Sequence, residues 1–142
     1  MLVRECLRNA PVTIPPQCTL EEAAGLMGRH GVGSLLVVSG GELSGIVTDR
    51  DIVIRGVSTG QPLTTPVSTI MSEQPTVIQG SADIFEAVKA LREAGVRRLP
   101  VLEEGEVAGI ITLDDLIVWL VLELGAVAMP VLGDILHATD AH

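Results

Sequence analysis

Aromatic side chains are nearly absent from this 142-residue chain: Phe85 and Trp119 are the only two, and there is no tyrosine. A protein that holds single-stranded nucleic acid stacks bases on aromatic platforms in a cationic groove, and here the platforms are missing. Positive charge is scarce as well. Nine lysines and arginines stand against 18 acidic residues, and the resulting net charge of −9 opposes a phosphate backbone at long range. No nucleic-acid partner is expected, whereas a small anion held by a local positive site remains compatible with the sequence.

Cysteine, histidine and leader signals are equally sparse. Cys6 and Cys18 form no CxxC pair and have no histidine at metal spacing, so they read as free, partly buried thiols in a reducing compartment. His30, His137 and His142 are scattered, and no metal site is expected. The first residues, Met1 to Cys6, lack a basic region followed by an apolar stretch. No signal peptide is visible, and a cytoplasmic location follows. Gly31-Val-Gly33 follows a helix instead of a strand and lacks the rest of a dinucleotide fingerprint. Ser34, Ser44 and the threonines show no nucleophile elbow. Asp49, Asp51, Asp114 and Asp115 have no paired nucleophile or oxyanion donor. The sequence therefore points to no enzyme.

What the chain has is aliphatic bulk and a repeat. Hydrophobic residues make up 47% and charged residues 19%, ample for a packed core. Pro11-Val-Thr-Ile14 aligns with Pro75-Thr-Val-Ile78 at a shift of 64 residues (75 − 11). The same shift carries Gly31-Val32 onto Gly95-Val96, Gly41-Glu42 onto Gly105-Glu106, and Gly45–Asp51 onto Gly109–Asp115, with no insertion.

Each half predicts one series of elements. A helix-like lead-in (2–8 and 67–72) stops before Pro11 or Pro75, because the residue before proline resists the helical region. A short strand follows at Val12–Ile14 or Thr76–Ile78. Thr19 and Ser81 are the expected N-caps of the next helices. Leu20, Ala23, Ala24 and Met27 mark the buried face of the first; Ile84, Ala87, Val88 and Leu91 mark that of the second. Gly31 and Gly95 end them. The runs Ser34–Val38 and Leu43–Thr48, and likewise Arg98–Leu102 and Val107–Thr112, predict β-hairpins over short glycine-containing turns. A last helix begins after Thr48 or Thr112. The fold class is α+β, a β-α-β-β-α unit in tandem, with a polar linker near Gly56–Pro66. A half of about 55 residues is marginal alone, so the two are expected to share a core.

This unit, ending in Gly-apolar-apolar-Thr-x-x-Asp at Gly45–Asp51 and Gly109–Asp115, resembles the CBS domain, named for cystathionine β-synthase; Gly95-Val-Arg-Arg-Leu-Pro-Val101 matches its second strand. The resemblance spans about Val3 to Leu120. It places one domain at 3–60, a second at 67–122 and an apolar tail at 123–142, and implies pseudo-twofold packing with two clefts between the halves. It further implies a regulatory module, needing no cofactor, that takes an adenosine ligand such as AMP, ADP, ATP or S-adenosylmethionine, and that pairs as a homodimer. The alternative is a ligand-free structural or oligomerisation module.

Thr48-x-x-Asp51 and Thr112-x-x-Asp115 support both readings. A threonine followed three residues later by an acid at a helix start is close to a capping box. The same free N–H groups and hydroxyl suit a phosphate, and a carboxylate can accept from ribose hydroxyls. By resemblance, Thr48 and Thr112 face phosphate, Asp51 and Asp115 face ribose, and the adenine slot falls at Thr13-Ile14, Leu35-Leu36, Val77-Ile78 and Leu99-Pro100. Arg97 and Arg98 offer planar, multidentate contact with phosphate, and their counterparts Gly33 and Ser34 carry no charge. Unequal clefts are the expectation.

From Leu116 to Gly133 the only charged residue is Glu123. That length is within reach of a spanning helix, but Gly125 and Pro130 interrupt it and no lysine or arginine flanks it. No membrane contact is expected; a helix buried against the repeat core, a second subunit or a partner protein is.

Overall fold

The computed structural model describes residues 1–140. In the first half β1 (Thr13–Ile14) is followed by α1 (Leu20–His30) and the hairpin β2 (Ser34–Ser39) and β3 (Glu42–Thr48). Helix α2 opens over Asp49–Asp51 and continues as a π-helical segment, Ile52–Val57. A short strand β4 (Ser72–Glu73) precedes the second half, in which β5 (Ile78–Gln79), α3 (Ile84–Ala94), β6 (Arg98–Glu103) and β7 (Glu106–Thr112) repeat the pattern. Helix α4 (Leu113–Asp140) ends the described chain.

Local chemistry explains the shared frame. Both hairpins turn over two residues with positive φ, Gly40-Gly41 and Glu104-Gly105, the conformation that matches the twist of paired strands. Their registers coincide at the 64-residue shift, from Ser34↔Thr48 and Arg98↔Thr112 at one end to Ser39↔Glu42 and Glu103↔Glu106 at the other. Strands β1 and β5 join β2 and β6 in parallel. Gly31 and Gly95 end α1 and α3 in the left-handed region, at φ of 63° and 65°. Thr19 caps α1 and accepts from the Glu22 amide while Glu22 reaches back, completing a capping box.

Several expectations need correction. Asp83, not Ser81, caps α3 and accepts from the Phe85 amide at 2.9 Å; its carboxylate also suits the positive helix end better than a hydroxyl. Ala24 is exposed, and the buried face of α1 runs Leu20, Ala23, Met27. Strand β4, not foreseen, pairs with β3 and makes the first sheet four-stranded against three in the second.

The expected single core is two cores with exchanged lead-ins. Val3 and Cys6, from the 3-10 turn Val3–Cys6, are buried among second-half residues such as Ile84, Leu99, Ile111 and Leu116. Val67 and Ile70, the first residue of the turn Val67–Thr69 and the one that follows it, are buried among first-half residues such as Leu20, Leu35 and Val47. Each half is thus closed by the segment that leads into the other, which ties the pair together without merging their interiors.

Helix α4 also departs from expectation. It runs through Gly125 and Pro130, and only its first two turns pack on the second core, through Leu116, Trp119 and Leu120. Beyond them the apolar side chains are exposed, Leu124 and Val127 each at 68%. By length and composition the stretch Leu113–Ala138 could cross a membrane.

Candidate functional site

Two clefts lie between the halves, and most of their wall residues correspond under the repeat shift. In the α4 cleft, of about 350 Å3, Thr112, Asp115 and Ile110 face Pro11, Val12 and Val32. In the α2 cleft, of about 310 Å3, Thr48, Asp51 and Ile46 face Pro75, Thr76 and Val96. Each cleft therefore takes the start of a helix from one half and the approach to the first strand from the other. Both volumes are in the range of small-ligand pockets.

The helix starts are built alike. Thr48 Oγ1 accepts from the Asp51 amide at 3.1 Å, and Asp51 Oδ2 accepts from the Thr48 amide at 2.9 Å. In the second half the same two bonds measure 3.0 and 3.3 Å. The backbone behind them matches too: the Asp49 amide donates to Gly33 O, and the Leu113 amide to Arg97 O. Both Thr-x-x-Asp motifs thus form reciprocal caps, yet the capping occupies only part of each group. Each hydroxyl keeps its hydrogen to donate, and each carboxylate keeps a second oxygen. The free oxygen of Asp51 stands 4.0 Å from Arg55 Nε. Capping and lining a cleft are compatible in one side chain.

The clefts differ in charge. Arg8, at the mouth of the α4 cleft, corresponds to Ser72 in the other; Gly33 and Ser34 correspond to Arg97 and Arg98. Arg50 also lines the α2 cleft, where Asp114 would be its counterpart. Arg97 is exposed and its Nη2 donates to Asp114 Oδ1 at 3.2 Å. Arg98 lines both clefts.

The residues expected to form an adenine slot do not line the two clefts. Leu35, Leu36 and Leu99 are fully buried, Pro100 is nearly so, and Ile14 and Ile78 belong to the two cores. Thr13 and Ile14 line a separate groove along α1, and Val77 lines a surface hollow with Pro75 and Leu43. The physical reason is strand alternation: once β1 pairs with β2, Ile14 turns into the core. It is the residues just before the strand, Pro11-Val12 and Pro75-Thr76, that reach the clefts. Arg8, Val32, Ile46, Arg50, Ser72, Val96 and Ile110 were not anticipated; extending the repeat alignment to both sides of each motif is the signal that finds most of them. Among the described residues no three of His, Cys, Asp and Glu come together as a metal site, and His142 lies outside the described residues.

Comparison with known proteins agrees with this architecture. The CBS domain family matches residues 3–57 and 67–122. The CBS domain-containing protein YhcV of Bacillus subtilis is 35% identical over 116 residues, covering 82% of this chain and 83% of its own. Among solved structures, the CBS-domain protein ATU1752 from Agrobacterium tumefaciens superposes with a TM-score of 0.74 at 29% identity, covering 82% of this chain and 97% of its own. CBSX2, solved in complex with AMP, superposes at 0.72 with 25% identity, covering 87% of this chain and 98% of its own.

Proposed function

The chain belongs to the CBS-domain family, and from that premise we propose that it is a non-catalytic regulatory module whose clefts bind an adenine nucleotide. The observation that carries this reading is the pair of matched clefts, each with a capped helix start whose threonine and aspartate still have unused valences. The helix end and the threonine hydroxyl suit a phosphate, reinforced by the arginines. The spare carboxylate oxygen suits the ribose hydroxyls, and Ile110 with Val12 and Val32, or Ile46 with Pro75 and Val96, offer apolar walls to a base. The complex of CBSX2 with AMP lends weight to AMP as the first ligand to try; ADP, ATP and S-adenosylmethionine have the same adenosyl part. Two buried, unpaired thiols fit a cytoplasmic setting.

Thermal unfolding of the full chain with these four compounds tests the proposal. At millimolar AMP a rise of several degrees is expected, through mass action on the native state. Asp115→Ala and Asp51→Ala should each reduce it while the unliganded chain keeps its circular dichroism. No shift with any of the four, at concentrations up to about 10 mM, would leave the Thr-x-x-Asp motifs as caps only and favour the ligand-free structural module.

A second observation favours self-association. Val53, Ile54 and Val57 on the α2 segment are exposed, and so are their counterparts Ile117, Val118 and Val121 on α4. In α4 the pattern continues: Ile117, Val121, Leu124, Ala128, Val131 and Ile135 follow one another by four and three residues in turn, the spacing of a coiled-coil seam. At 1.5 Å per residue this seam is about 27 Å long. Glu123 and His137 fall away from this seam, while the exposed Leu122, Met129 and Leu136 keep the rest of the helix surface largely apolar. Heptad spacing over this length suits a helix paired with another helix. We take the occupant of this face to be a second copy of the chain; a bilayer is the rival that the length and hydropathy of the helix allow.

A further inference from the structure

Arg98 is the only residue, among those described, that lines both clefts. It stands at the start of β6, opposite Thr112 in the hairpin register. Its symmetry mate Ser34 lines the α4 cleft, so by the repeat Arg98 belongs to the α2 cleft. Its guanidinium nonetheless extends across to the first half. Nη2 lies 3.2 Å from the point where a Cβ on Gly33 would stand, and Asp49 Oδ2 lies 3.2 Å from the same point. The absence of a side chain at Gly33 is what leaves room for this crossing. Arg97 is committed to Asp114 at 3.2 Å, whereas Arg98 makes no ion pair within 4.0 Å among the described residues.

We propose that Arg98 is a shared phosphate ligand that couples the clefts, so that the chain binds one nucleotide tightly and a second much more weakly. This rests on the clefts being adenine-nucleotide sites. One guanidinium can direct its planar fork of donors at only one phosphate group. Whichever cleft fills first draws Arg98 to it. The second ligand then lacks that charge-assisted contact and also meets the negative charge of the first across the divide between the halves. Each cleft has other cations, Arg8 in one and Arg50 and Arg97 in the other, but none of these serves both.

Calorimetric titration of the full chain with AMP, with adenosine as the uncharged control, tests the coupling. For AMP we expect one tight class close to one per chain, with any second class at least tenfold weaker; for adenosine the gap should vanish. Arg98→Ser, which makes the second half match Ser34, should weaken the tight class at least tenfold and draw the classes together. Ser34→Arg supplies the missing counterpart and should tighten the second class about tenfold. Gly33→Ala keeps every charge but crowds the crossing, so at the α4 cleft it should weaken AMP by at least threefold more than it weakens adenosine; it also carries the test if Arg98→Ser unfolds, and an equal loss for the two ligands counts against the coupling. Two equal AMP classes in the wild type, or a gap that Arg98→Ser leaves unchanged, overturn the coupling while the nucleotide reading stands. An absence of heat with AMP and with adenosine, together with no thermal shift, overturns the nucleotide reading itself.

Discussion

Helices α2 and α4 begin with the same Thr-x-x-Asp box and end very differently. The first holds α geometry over Asp49–Asp51, loosens into the π segment Ile52–Val57 and gives way to a turn-rich linker; the second runs to Asp140. The start of each is set within four residues, where the threonine and the aspartate each satisfy the other's backbone amide, and both halves have it. The continuation depends on the residues beyond the box. After Val57 come Ser58-Thr59-Gly60 and Pro62, with Gly60 at φ 76°, and there the helix stops. After Val121 come leucine, valine and alanine, strong enough formers as a run to carry the helix past Gly125 and Pro130. The halves thus share a site geometry and differ in their surroundings: charge at the clefts, and length at the helix that leaves them.

The largest expected effect breaks that comparison in the cores. Leu116 in α4 and its counterpart Ile52 sit at equivalent positions, but Leu116 is 0% exposed and Ile52 9%. Leu116→Ala should cost about 3 kcal/mol in chemical denaturation and Ile52→Ala about 2 kcal/mol, because a better-enclosed side chain leaves a less collapsible cavity. Equal losses would mean that the two cores are packed alike despite their different coverings.

Next comes the long helix. Leu124→Glu and Val131→Glu place carboxylates in the proposed seam at sites where the single chain is already solvent-exposed. Monomer stability should change by less than about 0.5 kcal/mol. Self-association, measured by sedimentation equilibrium, should weaken at least a hundredfold, about 2.7 kcal/mol. A wild-type chain that is monomeric in water but sediments with phosphatidylcholine vesicles would replace the second copy by a bilayer.

The caps should be indifferent to which half they are in. Thr48→Ala and Thr112→Ala each remove one acceptor from a helix start with bonds of closely similar length, and each should cost about 1 kcal/mol. A loss confined to Thr112→Ala would show that the short α2 segment is held by packing instead of by its cap.

How much could be read from the sequence tracks the range of the forces involved. Hairpin turns at Gly40-Gly41 and Glu104-Gly105, the helix stops at Gly31 and Gly95, and the Thr-x-x-Asp caps depend on residues within four positions, and these were legible. The cap at Asp83 was missed because Ser81 also satisfies the local pattern; the bridge Leu2↔Asp83 and the N-terminal ammonium, 3.6 Å from Asp83, help fix the choice from a distance. The exchange of Val3 and Val67 between cores leaves no local trace, since an apolar residue at a lead-in fits either interior. The cleft motifs were found through the repeat, but the cleft walls lay one or two residues earlier than expected, where strand pairing decides which side chain turns inward. Arg98 was legible as an asymmetry; its reach into both clefts required the glycine at position 33 to be seen in place.

The smallest effect concerns the two thiols, one in each core. Cys6 closes the second core at 1% exposure and Cys18 the first at 7%. Burial pushes both thiols above their ordinary pKa of 9.0, with neighbouring carboxylates, Glu5 for Cys6 and Glu22 for Cys18, adding in the same direction. The buried thiol resists losing its proton while the unfolded chain gives it up at the ordinary value. Stability is therefore full below about pH 9 and falls as pH rises from there towards the folded-state pKa. The decline, followed as denaturation midpoint against pH, should shrink in Cys6→Ala and in Cys18→Ala. At neutral pH both thiols should react slowly with an aromatic disulfide reagent in the native chain, Cys6 more slowly than Cys18, because attack needs an exposed thiolate. Fast labelling of Cys6 alone would mean that the exchanged lead-in opens by itself, and that the second half is the looser of the two.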